Sequence, residues 1–331
     1  MCRLNCRQDN FEFVLVDCIR IVSSHHPCGA TIMDARSLPT AISQSMPRTQ
    51  SVGSRPHAGD RDEYQRLRQI RERIVDVLNA AGGGHYGGSL SVADILFVLY
   101  NKILRRNQQD PHWPDRDRLI LSKGHAAVAL YSVLVSIDVL SAVKLEGYGT
   151  QSGVLAGHPD MTCTDGVEFS TGSLGQGLAA GVGMALALRD RGCHVWAVLG
   201  DGECQEGQVW EAAMLASRYQ ISNLHAVVDL NGYQELGWHG QDVARPEPLP
   251  DAAAKWAAFG WKVFEVAGHN LGELEAAMRE AVDTAGRPSV LIAHTIKGHG
   301  IAAFEQEPGT SHCVNLPSDR ARELIILGDS L

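Results

Sequence analysis

The chain has 331 residues, 44% of them hydrophobic and 20% charged, with a formal net charge of −9. That length suits one large α/β domain or two small ones, and an acidic balance with no basic block argues against nucleic acid as a partner. No apolar stretch reaches membrane-spanning length (Phe11 to Val22 comes nearest and is broken by Glu12, Asp17 and Arg20), so a soluble, cytoplasmic chain with no membrane role is expected.

Residues 1 to 60 differ from the rest. They mix Ser, Pro, Arg, His and Cys without sustained periodicity, and the polar stretch from Ser37 to Gly59 reads as a linker or tail. An N-terminal extension, disordered or accessory, is expected over 1–60, ahead of one domain over 61–331. A natural start at Met33 or Met46 and a genuine accessory tail both stay open. Four of the eight Cys fall here, and Cys2 and Cys6 have no second close pair at zinc-site spacing. Reduced, unpaired thiols are the expectation.

Order begins near Asp62. Leu67, Ile70, Ile74, Val77, Leu78 and Ala81 fall at helical spacing, and Gly82-Gly83-Gly84 ends that helix. Gly84-His85-Tyr86-Gly87-Gly88-Ser89-Leu90-Ser91 follows, with Ser91 expected to cap a helix from Val92 to about Leu104. Asp110 to Asp117 reads as a loop, and Leu119-Ile120-Leu121 as a buried strand. That strand leads into Ser122-Lys123-Gly124-His125 and a helix from Ala126. Gly147 to Met161 is loop and carries Gly157-His158-Pro159. Ser170 to Gly177 is a glycine-rich turn into a small-residue helix, Leu178 to Leu188.

The next stretch is the most informative. Val195 to Leu199 is an apolar run leading into Gly200-Asp201-Gly202, Glu206 to Tyr219 reads as a helix, and Leu224 to Val228 is a second run leading into Asp229-Leu230-Asn231. That unit puts two parallel strands side by side, with Asp201 and Asn231 at their carboxyl ends, where open α/β sheets bind ligands. One carboxylate and one amide oxygen suit a hard divalent cation such as Mg²⁺, which commonly shares its shell with phosphate oxygens. Gly202 permits close backbone approach, and the following helix is expected to aim its positive end at the same place. Helices over Ala252–Phe259 and Leu271–Thr284 alternate with strands over Trp261–Val266 and Val290–Thr295. The whole reads as a doubly wound parallel sheet with helices on both faces.

Five of the fourteen His follow a Gly: His85, His125, His158, His269 and His299. Turns favour such steps, but His85, His125 and His158 lie in loops beside predicted elements, where such loops converge on one sheet edge. Histidine takes and gives protons near neutral pH, so these three are candidate catalytic residues. Their separations match no local zinc pattern.

Taken together, these segments resemble transketolase, in its thiamine-diphosphate-binding half. The matching stretches are Gly84-His85 with Gly87 to Ser91; Ser122 to Ala126; Gly157-His158-Pro159; Ser170 to Gly177; Gly200 to Glu211; Asp229-Leu230-Asn231; and Thr295-Ile296-Lys297-Gly298. They occur in the family's order over about residues 62 to 316. The resemblance implies thiamine diphosphate and Mg²⁺ as cofactors. It implies Asp201, Asn231 and the backbone carbonyl of Tyr233 as metal ligands. Gly202, Asn231 and His125 would contact the diphosphate, and Gly172, Ser173 and Leu174 would lie against the thiazolium side. His85 and His158 would move protons at the donor's oxygens. Glu206 corresponds to a glutamate of an inter-subunit carboxylate relay, or is simply an acid favoured at a helix N-terminus. His312 corresponds to a late His that reaches the diphosphate, although the family's following Gly is Cys313 here.

A full transketolase continues into a pyrimidine-binding domain and a third domain. The resemblance therefore implies the N-terminal subunit of a split enzyme. Such a subunit needs a separate C-terminal subunit, is expected as a two-plus-two heterotetramer, and acts on a sugar or sugar phosphate. The cofactor-binding subunit of a 2-oxo-acid dehydrogenase or another carboligase shares the Mg²⁺ clamp and is the alternative. A non-catalytic scaffold is a third reading, prompted by the altered late segments.

Overall fold

The computed structural model describes residues 58–234 and 249–314. Five strands form one parallel sheet: β1 (Arg118–Leu121), β2 (Val195–Gly200), β3 (Leu224–Leu230), β4 (Lys262–Ala267) and β5 (Ser289–His294). Their spatial order is β1-β2-β3-β5-β4. Alternate side chains serve two cores. Leu119, Leu121, Trp196, Val198, Val227 and Leu291 pack with helices α1 (Ala58–Ala80), α2 (Tyr86–Val98), α3 (Ala127–Ser136) and α7 (Leu271–Val282). Ile120, Val195, Ala197, Leu199, Val228 and Ile292 pack with α4 (Gln176–Leu188), α5 (Gly207–Arg218) and α6 (Ala252–Ala258). Burial on both faces is why these strands read as unbroken apolar runs. The expected doubly wound α/β architecture is the one that forms.

Because every strand runs the same way, their carboxyl ends share one edge. Ser122-Lys123 leaves β1 there, Asp201 leaves β2, Asn231 leaves β3 and Thr295 to Lys297 leave β5.

One expectation needs correction. Ser91 does not cap a helix: α2 already begins at Tyr86 behind His85 and is buried along its whole length. The Ser91 hydroxyl instead donates to Asp229 Oδ2 at 2.6 Å. The helix expected over Glu206 to Tyr219 forms as α5, a short way beyond Gly200-Asp201-Gly202. A 3-10 turn, Gly202–Gln205, intervenes, and α5 begins at Gly207 behind Glu206. The N–H groups that reach Asp201 belong to Gly202 and Gly232.

The expected extension over 1–60 lies outside the described residues, apart from the start of α1. Among the described residues no helix is long and apolar enough to cross a membrane.

Candidate active site

The register of β2 against β3 sets Gly200 opposite Asp229, so Asp201 and the Asn231 segment leave the sheet side by side. Asp201 Oδ2 accepts from Gly232 N–H at 2.6 Å and Oδ1 accepts from Gly202 N–H at 2.8 Å. The carboxylate is 2% exposed. Burial, and then the nearby negative charge of Asp229, push its pKa up to about 6. Asn231 Oδ1 accepts from Tyr233 N–H at 3.1 Å, which holds Tyr233 against the amide. A buried carboxylate opposed by a second carboxylate, beside an amide oxygen, is a donor set that fits a hard cation. Gly202 is needed for a further reason: a Cβ there would lie 2.9 Å from the Gln234 side chain.

Asp229 organises this edge. It is fully buried and receives Lys123 Nζ, the Ser91 hydroxyl and the Thr295 hydroxyl. Burial opposes its ionisation, but the Lys123 charge together with the hydrogen bonds from Lys123, Ser91 and Thr295 outweighs burial and holds its carboxyl below the ordinary range. Asn231 Nδ2 points back at Ser91 Oγ (3.3 Å) and Asp229 Oδ2 (3.5 Å). The amide nitrogen thus faces the acceptors behind it, which fixes which end of the amide presents oxygen.

Lys123 also donates to the Gly88 carbonyl at 3.0 Å, which ties this sheet edge to α2. Here three imidazoles converge. Ring centroids of His85 and His125 are 5.2 Å apart, those of His85 and His312 5.5 Å, and those of His125 and His312 6.2 Å. Lys297 Nζ lies 2.7 Å from His312 Nδ1 and the side chain is 2% exposed. Burial, and next to it Lys123, lower the His125 pKa well below the histidine range. Burial and then Lys297 lower that of His312 to about 3. Both rings are therefore neutral near pH 7 in a markedly positive pocket. Gly87 and Gly88 make the room: a Cβ on Gly87 would meet Ser311 and lie 2.7 Å from Lys297, and one on Gly88 would lie 3.1 Å from His125.

His158 reaches the same edge from the long loop. Gly172, at φ +151°, lies under it, and a Cβ on Gly172 would stand 3.1 Å from the His158 ring. A Cβ on Gly124, just before His125, would lie 2.8 Å from the Gly172 backbone nitrogen. The Ser173-Leu174 turn is pinned behind these contacts, since Thr171 Oγ1 donates to the Leu121 carbonyl and Gly175 N–H donates to Glu203 Oε1. Glu203 is 2% exposed and also takes Ser122 Oγ and Gly200 N–H. It ties three loops of the site together. Glu206, by contrast, is exposed in this chain, with its stem against Gly175.

The sequence matches the family described as "Transketolase, thiamine diphosphate binding domain" over residues 63–325. This chain belongs to the transketolase family. It is 40% identical over 252 residues to the 6-deoxy-6-sulfo-D-fructose transketolase subunit SqwG of a Clostridium species, covering 76% of this chain and 90% of that one. It is 37% identical to an apulose-4-phosphate transketolase subunit of Phocaeicola vulgatus, covering 71% and 83%. The transketolase of Campylobacter jejuni superposes with a TM-score of 0.68 at 32% identity, covering 78% of this chain and 42% of that one. The Leishmania mexicana transketolase gives 0.69 at 27%, covering 79% and 40%. The chain thus spans about two-fifths of these long transketolases and most of the relatives named as subunits. As a transketolase N-terminal subunit it is a thiamine-diphosphate-dependent transferase. Similarity to these transketolases lends nothing to the 2-oxo-acid dehydrogenase alternative.

Sequence reasoning placed His85, His125, His158 and His312 together, and the structure brings them to one edge. It gave no role to Lys123, Asp229, Lys297 or Glu203. A lysine immediately beyond an apolar strand, as at Lys123, was a usable signal. Nothing local distinguishes buried Glu203 from an ordinary exposed acid near a helix start.

Proposed function

We propose that this chain binds thiamine diphosphate through Mg²⁺ and, with a separate C-terminal subunit, transfers a two-carbon ketol unit from a ketose to an aldehyde. One observation carries the reading: a negative half, Asp201 against Asp229, and a positive half, Lys123 and Lys297 among His85, His125 and His312, meet at one sheet edge through the Lys123–Asp229 pair. A cation at Asp201 offsets the burial and the Asp229 repulsion that raise its pKa, and an anion offsets the positive charge of the lysines among the imidazoles. A metal–diphosphate unit does both.

Asp201 and Asn231 hold the metal, with the Tyr233 carbonyl as the third protein ligand. Gly202, Asn231, His125 and His312 face the diphosphate. Gly172, Ser173 and Leu174 line the thiazolium side. When bound, the cofactor supplies an electron sink for the two-carbon carbanion. His85 and His158 take and return protons at the donor's hydroxyl and carbonyl oxygens. Glu206, exposed beside Gly175, is assigned either to a carboxylate relay across a subunit interface or to the start of α5 as an acid favoured there.

The names of two relatives, each called a transketolase subunit, support a partner chain, and a two-plus-two heterotetramer is the proposed assembly. The substrate is a ketose or its anionic ester. A cytoplasmic setting accords with the four free thiols among the described residues. Residues 1–60 form an extension outside the catalytic domain in this reading.

The test mixes this chain with its C-terminal partner, thiamine diphosphate and Mg²⁺, and follows ketol transfer between ketoses and aldoses by mass spectrometry. Bound cofactor with no transfer from any ketose counts against the reading. Turnover of pyruvate with a lipoyl acceptor favours the dehydrogenase alternative, and no cofactor binding favours the scaffold.

A further inference from the structure

Two of the five glycine-preceded histidines remain outside the site, and the fold brings them together. His269 follows β4 and His299 follows β5, and their rings stack with centroids 3.6 Å apart. His269 Nδ1 lies 2.8 Å from Asp94 Oδ2 on α2. Its Nε2 accepts a hydrogen bond from Ile296 N–H at 2.8 Å. A ring that accepts at Nε2 is neutral and carries its proton on Nδ1, directed at Asp94. Asp94 is 2% exposed and also takes Arg71 through both carboxylate oxygens, at 2.7 and 2.6 Å. His299 covers one face of His269 and is itself held by Glu305 at 2.9 Å.

Ile296 stands between two residues of the site. Thr295 before it donates to Asp229, and Lys297 after it approaches His312 at 2.7 Å. Ile296 is 44% exposed, so little packing of its own side chain holds this turn. What His269 adds is a lone pair of fixed direction, set by Asp94 and Arg71 behind it.

We propose that His269 is a positioning residue for the diphosphate-facing half of the site, fixing Lys297 through the Ile296 amide. The inference rests on the thiamine-diphosphate reading given above. A metal at Asp94, His269 and His299, whose ligand atoms lie within 4.8 Å of one another, fits less well. Both His269 nitrogens are already engaged, and the Arg71 guanidinium stands on the carboxylate where a cation would bind.

The test measures thiamine diphosphate and, separately, inorganic diphosphate, each with Mg²⁺, binding to the full chain with its partner by calorimetry. His269→Ala is expected to weaken both by roughly 10–100-fold, the range seen when an orienting partner behind a ligand is lost. The KM for thiamine diphosphate rises while kcat at saturating cofactor stays within about twofold. His269→Gln, whose side-chain oxygen reaches toward the same amide, recovers most of the affinity. Asp94→Asn places the ring proton on Nε2, facing Ile296 N–H, and behaves like His269→Ala. If His269→Ala does not fold, His269→Gln against His269→Leu decides: Gln binds and Leu does not. Binding by His269→Ala or His269→Leu within about twofold of the wild type overturns the proposal, as does stoichiometric zinc in the purified protein. Failure of the wild type to bind would overturn the cofactor reading instead, so the two failures are distinguishable.

Discussion

Lys123 and Asp229 form an ion pair that is 1% and 0% exposed, joining the loop after β1 to the strand that ends at Asn231. Removing one partner leaves an uncompensated buried charge. Asp229→Asn is therefore expected to destabilise the chain by about 3–5 kcal/mol, read by chemical denaturation. It should also loosen the Asn231 amide, and so weaken Mg²⁺-dependent cofactor binding. A variant with wild-type stability and affinity would show that the pair is incidental.

Asp201 is expected to separate stability from function. Burial and the Asp229 charge raise its pKa to about 6. An acid whose folded pKa lies above its unfolded value loses stability as pH rises between the two, and the loss persists at pH 7. Asp201→Asn removes that penalty, worth at most about 3 kcal/mol, but turns an NH₂ toward one of the two backbone N–H groups, so what should change is the slope: the variant loses less stability than the wild type between pH 5 and pH 7. The same variant should lose Mg²⁺-dependent thiamine diphosphate binding. An equal loss between pH 5 and pH 7 in the two proteins would contradict the electrostatic account.

His225 gives a pH dependence far from the site. It is fully buried, with Nε2 2.8 Å from His194 Nδ1 and Nδ1 2.6 Å from Ser289 Oγ. Burial, then His194, lower its pKa well below 6.5. The unfolded chain binds a proton below about pH 6.5 and the folded chain does not. Stability is thus full above 6.5 and falls as pH drops, by about 1.4 kcal/mol per unit for each such histidine. His312, at about 3, and His125 add to the same slope. Denaturation at pH 7 and pH 5 checks this, and equal midpoints would refute it.

Gly87→Ala tests why α2 carries glycine at all. In an exposed helix the change would stabilise by about 1 kcal/mol. Here the new Cβ meets Ser311 and lies 2.7 Å from the Lys297 side chain. The helix should remain, by circular dichroism, while the thiamine diphosphate KM rises as Lys297 is displaced. An unchanged KM would mean that Lys297 does not need its present place.

Strands β1, β2, β3 and β5 were legible because they are buried on both faces and so read as apolar runs, whereas β4, at the sheet edge and largely half-exposed, carries Lys262 and Glu265. The Gly200-Asp201-Gly202 and Asn231 spacing was legible because both residues end adjacent parallel strands. Ser91 misled for a physical reason. A Ser ahead of an apolar run looks like a cap, yet the helix passes through it, because Gly87 and Gly88 make the earlier turn compatible with close packing. Glu203 was invisible because its burial depends on Ser122 and Gly175 arriving from other loops.

Local periodicity and turn chemistry in the sequence therefore determined the element types, the parallel sheet and the edge at which chemistry is carried out. Only the tertiary structure decided which distant side chains meet there: Lys123 with Asp229, 106 residues apart, and His269 with Asp94, 175 residues apart. The strand order inserts β5 between β3 and β4, and that choice sets the loop of Lys297 between the loops of Asn231 and His269. No short stretch of chain encodes it, since it comes from the packing of whole layers.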